Sequence, residues 1–350
     1  MRTIFIFFLI LHIVSCQSNK YNKPAPELQK AKKEIYGNTQ GTTYTIILNE
    51  DLNVSKEEID SILHSFDLEL STYVDSSFIS KFNALPNGRL EYRSSNHYFE
   101  NCLKQALEVY VLSKGSFDPS VMPLVDAWSF FKKDHETIPD SATIDSLRSL
   151  VGFVNGNHYT YNTEEFSYLT KITPGFRLDF NAIAQGYAVD VIYEFLKSKG
   201  GTSFYVEIGG EVRVCGHKLD ETPWLLAVEE PNQTEEREAI TYIELNEMSL
   251  ATSGNYRKFY EKNGMKYSHT IDPHTGYPVQ HTLLSATVIA ENCAYADAFA
   301  TMFMVMGVDK SMEFVKAHPD LNLAVYFIFN NEDNRMEVAY NKTFEKLIKK

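Results

Sequence analysis

Residues 250–276 read LATSGNYRKFYEKNGMKYSHTIDPHTG, and the middle of this stretch is a hairpin signal. The arms 257–262 and 265–270 flank Asn263-Gly264, a dipeptide that tolerates the two positive φ angles of a tight type I′ turn. Antiparallel arms bring Thr252-Ser253-Gly254 beside Ser268-His269 and Asp272-Pro273. That end gathers hydroxyls, an imidazole, a carboxylate and backbone N–H groups, an inventory suited to holding a phosphorylated ligand and moving a proton. The same residues also make an ordinary polar hairpin tip, so the flanking chain has to decide.

C-terminal to the hairpin, 285–290 reads as a buried strand, and Asn292 is placed to cap a helix that runs through Met306 and closes at Gly307. Asp297 and Thr301 stand four apart on that helix, on one face and one turn from each other. Such a pair is commonly a solvated or capping pair. Here Ala296, Ala298, Phe299, Ala300, Met302 and Phe303 make the helix apolar nearly all round. A carboxylate in that setting is buried and needs a compensating charge, and carboxylate plus hydroxyl offers hard oxygens to Mg²⁺ or Ca²⁺. A helix follows at 308–317, then a hairpin of 323–329 and 336–340.

On the N-terminal side, 204–208, 211–215, 224–228 and 240–245 read as strands, antiparallel where the turns are short. Before them 159–161, 166–172 and 177–180 have strand character. The small residues 181–188 then open a helix to about residue 199 that Gly200-Gly201 terminates. A strand-to-helix turn of this kind exposes N–H groups to an anion, although the spaced glycines of a dinucleotide fingerprint and of a P-loop are both absent. Further upstream, 96–113 is amphipathic and stopped by Gly115, and 141–150 is a small exposed helix. Ser55-x-x-Glu58 is a capping box opening a helix with Ile59, Ile62, Leu63, Phe66 and Leu70 on one face. Asp75-Ser76-Ser77 caps a short second helix, and 43–48 is a strand preceded by a glycine-bearing loop at 37–42.

At 350 residues, 44% hydrophobic and 23% charged, the chain has the composition of a globular protein with a large core. A net charge of −13 excludes nucleic acid as a partner. It also means that an anionic small molecule would need a cation between itself and the protein. Residues 1–16 carry Arg2, an apolar run at 4–14 broken by His12, and the ending Ile13-Val14-Ser15-Cys16. This resembles a bacterial lipoprotein signal, in which Cys16 becomes the lipidated first residue; an ordinary secretory signal is the alternative. Residues 17–33 form a polar tether, leaving 34–350 as one folded domain. Cys102, Cys215 and Cys293 lack metal-ligand spacing and read as buried small residues, not as a disulfide framework.

Taken together, the motifs GTTYTI, LSTYVDSS, GSFDPSVMPLV, RLDFNAIAQGYAVD, YVEIGGEVRVCG, LATSGNY, SHTIDPHTG and ADAFATMFMVMG resemble, in order, those of the ApbE family of flavin transferases. The resemblance implies a mixed α+β body with largely antiparallel sheets, related to the T-fold. It implies an exported enzyme that splits FAD at its pyrophosphate, passes FMN to a threonine of an acceptor protein and releases AMP. Flavin contacts are implied at Gln40, Tyr73, the Ser116-Phe117-Asp118 loop, Asp179, Gln185 and Ile271. Mg²⁺ is implied at the Ala182 and Ala300 carbonyls and the Asp297 and Thr301 side chains. His269 matches the histidine before the Asp-Pro, which makes it the candidate proton-handling residue. Where Gln185 stands the family commonly has a charged residue, often lysine. Thr252 and Ser253 are candidates to hold phosphate, and Asp272 to orient His269. The lipid on Cys16 would keep the enzyme on the exported, periplasmic side, with a membrane-bound redox subunit as acceptor. The competing readings are an FAD pyrophosphatase that uses water as acceptor and a flavin-binding lipoprotein without catalysis.

Overall fold

The computed structural model describes residues 33–128, 138–162, 167–231, 239–255, 259–262 and 265–349. The expected signal segment, the tether up to residue 32 and the Asn263-Gly264 turn lie outside the described residues.

Two antiparallel strands open the described chain, β1 (Lys33–Thr39) and β2 (Thr42–Leu48). They meet at Gln40-Gly41, whose φ angles of 51° and 73° are those a two-residue primed turn requires. The segment expected as a loop at 37–42 therefore supplies the end of β1, the turn and the start of β2; β1 is an exposed edge strand whose weak apolar signal (Ile35 alone is buried) hid it. In α1 (Lys56–Leu70) the capping box forms as expected, Ser55 Oγ accepting from Glu58 N at 3.2 Å and Glu58 from Ser55 N at 2.9 Å. Ser77 caps α2 (Phe78–Ala84), which leads to β3 (Gly88–Tyr92) and α3 (Tyr98–Leu112). Next come α4 (Met122–Ala127), α5 (Ser141–Arg148), β4 (Tyr159–Asn162), β5 (Ser167–Lys171) and α6 (Ala184–Ser198). Six strands follow that run through the hairpin region: β6 (Phe204–Ile208), β7 (Glu211–Cys215), β8 (Trp224–Glu229), β9 (Ala239–Leu245), β10 (Ser249–Gly254) and β11 (Phe259–Lys262). The chain closes with β12 (Met265–Ser268), β13 (Leu283–Ala290), α7 (Cys293–Met306), α8 (Val308–Ala317), β14 (Ala324–Asn330), β15 (Met336–Tyr340) and α9 (Lys342–Glu345).

The backbone of the fold is an eight-stranded antiparallel sheet in the order β1-β2-β6-β7-β10-β13-β14-β15. Smaller sheets β3-β5-β4, β8-β9 and β11-β12 complete a mixed α+β body of the expected class. Alternation sorts the large sheet's side chains: Ala286, Val288 and Ala290 of β13 join the core under the helices, while Ile289 joins the cluster with Trp224, Ile243 and Phe344. Lys262 pairs with Met265 across β11-β12, the register expected of the hairpin. The 250–254 run is instead a strand of the large sheet, paired with β13 along its whole length. Residues 177–180, expected as a strand, join no ladder among the described residues. Asn83 satisfies Leu178 on both sides, Nδ2 to its carbonyl and Oδ1 from its amide, each at 2.8 Å, and Asp179 N donates to Pro119 O at 2.7 Å. No helix among the described residues is long and apolar enough to cross a membrane.

Two helices on the sheet fix the geometry that follows. Asp190 of α6 accepts from Cys293 N at 2.9 Å and Ala294 N at 2.8 Å, meeting amides at the start of α7 that lack helical partners. Arg213 of β7 holds the same carboxylate at 2.8 Å with its guanidinium over the Tyr193 ring. The helices touch at Gly186, where a Cβ would lie 2.3 Å from the Cys293 carbonyl and 2.8 Å from Asp297 Cβ. Because the obstacle is backbone, Gly186→Ala should destabilise the fold by about 2–3 kcal/mol, the scale of overpacking, and urea unfolding would measure it.

Candidate metal and flavin site

Asp297 projects from α7 into the contact with α6, where it is 5% exposed. Its Oδ2 accepts from Gly186 N at 3.1 Å. In a regular turn that amide would reach back to Ala182, so the Ala182 carbonyl is left without a backbone donor among the described residues. One turn along α7, Thr301 Oγ1 lies 3.1 Å from Ser253 Oγ of β10, and the neighbouring Thr252 Oγ1 lies 2.9 Å from Thr287 Oγ1 of β13. A carboxylate, an available carbonyl and paired hydroxyls thus converge between α6, α7 and β10. Ala300 is the fully buried residue before Thr301. These are all hard oxygen donors, which suit Mg²⁺ or Ca²⁺ better than a soft metal. Among the described residues no three His, Cys, Asp or Glu side chains are placed to hold one metal ion together, as a zinc-type centre requires. Burial pushes Asp297 up to about 7, with the Gly186 amide pulling the other way. Nearby, the buried Glu211 Oε2 has no hydrogen-bond partner among the described residues.

His269 follows β12 directly, half-buried. Its neighbour Thr270 donates through Oγ1 to Asn255 Oδ1 at 2.6 Å, and Asn255 N donates to Leu284 O at 2.9 Å. This fastens the hairpin's end to the end of β10, two residues from Ser253, as the sequence suggested. Asp272, expected to orient His269, has its Oδ1 engaged within its own turn. Asp272 Oδ1 accepts from His274 N at 2.9 Å and faces His274 Nδ1 at 3.2 Å. The Asp-Pro-His turn curls the carboxylate onto its own loop, and His274 Nε2 reaches the Lys114 carbonyl at 2.9 Å.

The expected flavin contacts fall into two connected groups. Gln185 Nε2 donates to Ile208 O at 3.2 Å, and Gly209 N donates to Thr43 O at 3.0 Å, which brings the Gln40 turn to the same corner. A Cβ on Gly209 would lie 1.7 Å from Gln185 Nε2, so only glycine leaves room for that amide. In the second group, the 116–119 loop is joined to Asp179 through Pro119, and Asn181 Nδ2 lies 3.5 Å from Thr72 Oγ1 beside Tyr73. Tyr73 presents a ring that is 78% exposed. Ser116 is half-buried, whereas Phe117 and Asp118 are buried. Asp118 accepts from Ser120 N at 2.7 Å and Ser120 Oγ at 2.5 Å, and burial pushes it up to about 6. Asp179 accepts from Asn181 N at 2.8 Å and is raised by burial, with Asn181 opposing. Ile271 packs with Leu124, Trp128 and Ile144, bracing the loop from below.

Sequence reasoning missed three supports of this wall. Lys171, 1% exposed, donates to the Asn83 and Leu85 carbonyls at 2.9 and 2.8 Å, closing the end of α2. Asn83 in turn carries Leu178 and hence Asp179. His274 ties the Asp-Pro turn to the end of α3. A charged residue inside a strand pattern was the one available signal for Lys171, and nothing local marks the other two.

Solved flavin transferases share this mixed antiparallel fold. Superposition on the flavin transferase ApbE from Vibrio cholerae gives a TM-score of 0.78 at 31% identity, covering 91% of this chain and 99% of that one. The apo flavinyl transferase ApbE of Pseudomonas stutzeri gives 0.77 at 31% identity, covering 92% and 98%. The FAD:protein FMN transferase of Haemophilus influenzae is 35% identical over 91% of this chain and 93% of its own. The sequence profile described as the ApbE family matches residues 40–327. The chain belongs to the ApbE family.

The protonation of Asp297 gives a sign that can be checked without ligand. Its folded pKa is about 7 against an ordinary 3.8, so between those values the folded state holds a proton that the unfolded state has lost. The carboxylate's contribution to stability therefore falls as pH rises through that window and levels off above it. Metal-free Asp297→Asn should gain on the wild type from about pH 4 to about pH 7 and hold a constant lead beyond. Thermal melts at matched pH would show this, and a gap independent of pH would refute the burial argument.

Proposed function

We propose that this protein is a divalent-cation-dependent FAD:protein FMN transferase. The observation that carries the reading is the convergence of Asp297, Thr301 and the Ala182 carbonyl between α6 and α7, next to the strand end to which the His269 segment is fastened. The naming of its relatives as FAD:protein FMN transferases supports the same activity.

Attack on a pyrophosphate builds negative charge on the phosphate oxygens, so positioning and charge stabilisation supply most of the catalysis. Asp297, Thr301 and the carbonyls of Ala182 and Ala300 would hold the cation, Mg²⁺ being the natural choice, which neutralises that charge and lets an anionic dinucleotide approach an acidic protein. The wall of Tyr73, Asp179 and the 116–119 loop holds the flavin half. Gln185 and the Gln40 turn bound its other side. Thr252 and Ser253, on β10, keep the phosphates in register. His269 takes the proton from the acceptor threonine as its Oγ bonds to the FMN phosphorus. The bond from that phosphorus to the bridging oxygen breaks, and AMP leaves with the bridging oxygen. The lipidated Cys16 and the tether would place this site at the exported membrane face, within reach of a membrane-bound redox subunit.

Incubation with FAD, Mg²⁺ and a threonine-bearing acceptor should add one FMN residue to the acceptor's mass and release AMP one for one. Free FMN at the same rate with or without acceptor would identify a pyrophosphatase instead, and intact FAD a binder. His269→Ala should lower transfer by about 10²–10⁴-fold while FAD still binds, followed by flavin fluorescence. Asp297→Ala should lose Mg²⁺-dependent turnover and retain the fold.

A further inference from the structure

Asp190, Glu211 and Asp297 are buried carboxylates gathered where α6, α7 and β7 meet. The Cys293 thiol between them feels the charge of all three. Arg213 is the cation that reaches this layer, and it is committed to Asp190 at 2.8 Å, its other carboxylate contact being Glu194 on the outside. Among the described residues neither Glu211 nor Asp297 has an ion-pair partner. Asp297 has the Gly186 amide. Glu211 has its own backbone amide, and its Oε2 is buried without a partner among the described residues.

The position of Glu211 follows from the turn before it. Gly209 and Gly210, at φ 60° and 108°, close a two-residue hairpin that sets Glu211 directly across from Ile208. The Ile208 carbonyl receives the Gln185 amide, and the next residue, Gly186, receives Asp297. Glu211 therefore faces Asp297 across the start of α6, and Asp297's charge adds to the effect of burial in raising it well above the usual carboxylate range. Glu207 on the neighbouring strand contributes further negative potential. Two like charges removed from water, one of them with an unbonded oxygen, are stable only with a shared proton or a cation to neutralise them.

We propose that Glu211 is the second anionic member of the divalent-cation site and sets its affinity. This rests on the reading of Asp297 as a metal ligand. A single carboxylate with neutral donors binds Mg²⁺ weakly, and a second carboxylate within the same buried pocket raises that affinity whether it meets the ion directly or through a water. It also explains why a carboxylate with one unbonded oxygen is held in the interior at the mouth of a tight turn.

Direct Mn²⁺ binding to FAD-free protein, read by the electron paramagnetic resonance of free Mn²⁺, tests this without recourse to activity. Glu211→Gln should weaken binding by about 10–100-fold, and Glu211→Asp should recover part of the loss because the charge returns. The metal-free melting temperature of Glu211→Gln should equal or exceed that of the wild type, since an unpartnered buried charge has been removed. Unchanged Mn²⁺ affinity in Glu211→Gln overturns the proposal, as does a lowered metal-free melting temperature with full affinity, which marks a structural role. Asp297→Asn is the reference. If it binds Mn²⁺ like the wild type, the cation site itself is misassigned. If it loses Mn²⁺ while Glu211→Gln does not, the site stands and only the role given to Glu211 fails.

Discussion

A carboxylate set on an apolar helix has to be received by something, and in this molecule the receiver is a backbone amide. Gly186 N–H meets Asp297 because α6 and α7 approach until glycine is the only residue that fits between them. Everything at the site follows from this contact. It diverts the amide from Ala182 and so frees a carbonyl. It brings Thr301 against Ser253 on the sheet, and the same pair of helices is locked by Asp190 at the head of α7. A helix pair of ordinary spacing would carry the same side chains and assemble none of this.

The electrostatics have a matching division of labour. Asp190 is compensated inside the protein by Arg213 and two amides, which makes it a fastener. Asp297 is under-compensated, which makes it receptive. Burial raises both carboxylates, but the surroundings decide whether the strain is absorbed by structure or left for a ligand to relieve.

Much of this was legible in the sequence, for identifiable reasons. The capping box at Ser55, the Asn292 cap, the apolar surroundings of Asp297 and the Asn263-Gly264 signal are local rules, and the elements they predict are present. What escaped depends on distant partners. β1 is an edge strand with one buried residue, so its period was too faint to read. Residues 177–180 alternate like a strand, yet Asn83 and Pro119 take their backbone groups. Asp272 was assigned to His269 by nearness in sequence, whereas the turn it belongs to folds it onto His274. The motifs resembling the ApbE family named the wall residues; only the fold showed that they form two groups.

The fastening of residues 177–180 has a dynamic side. A strand in a ladder opens only when its neighbours let go, but this segment is held by the Asn83 side chain, the Pro119 carbonyl, the Ile183 and Ala184 amides and the Arg177–Asp126 ion pair, with Lys171 steadying the asparagine's helix. Leu178 and Phe180 are buried in the main core, so the segment opens only when that part of the core gives way, not by peeling from a ladder. The amide of Leu178, bonded to Asn83 inside the core, would exchange through opening of that core, while β6 and β13 exchange through opening of the sheet. The residues that carry Asp179 are thus anchored by packing and by one asparagine side chain, outside the ladder that carries Thr252 and Ser253.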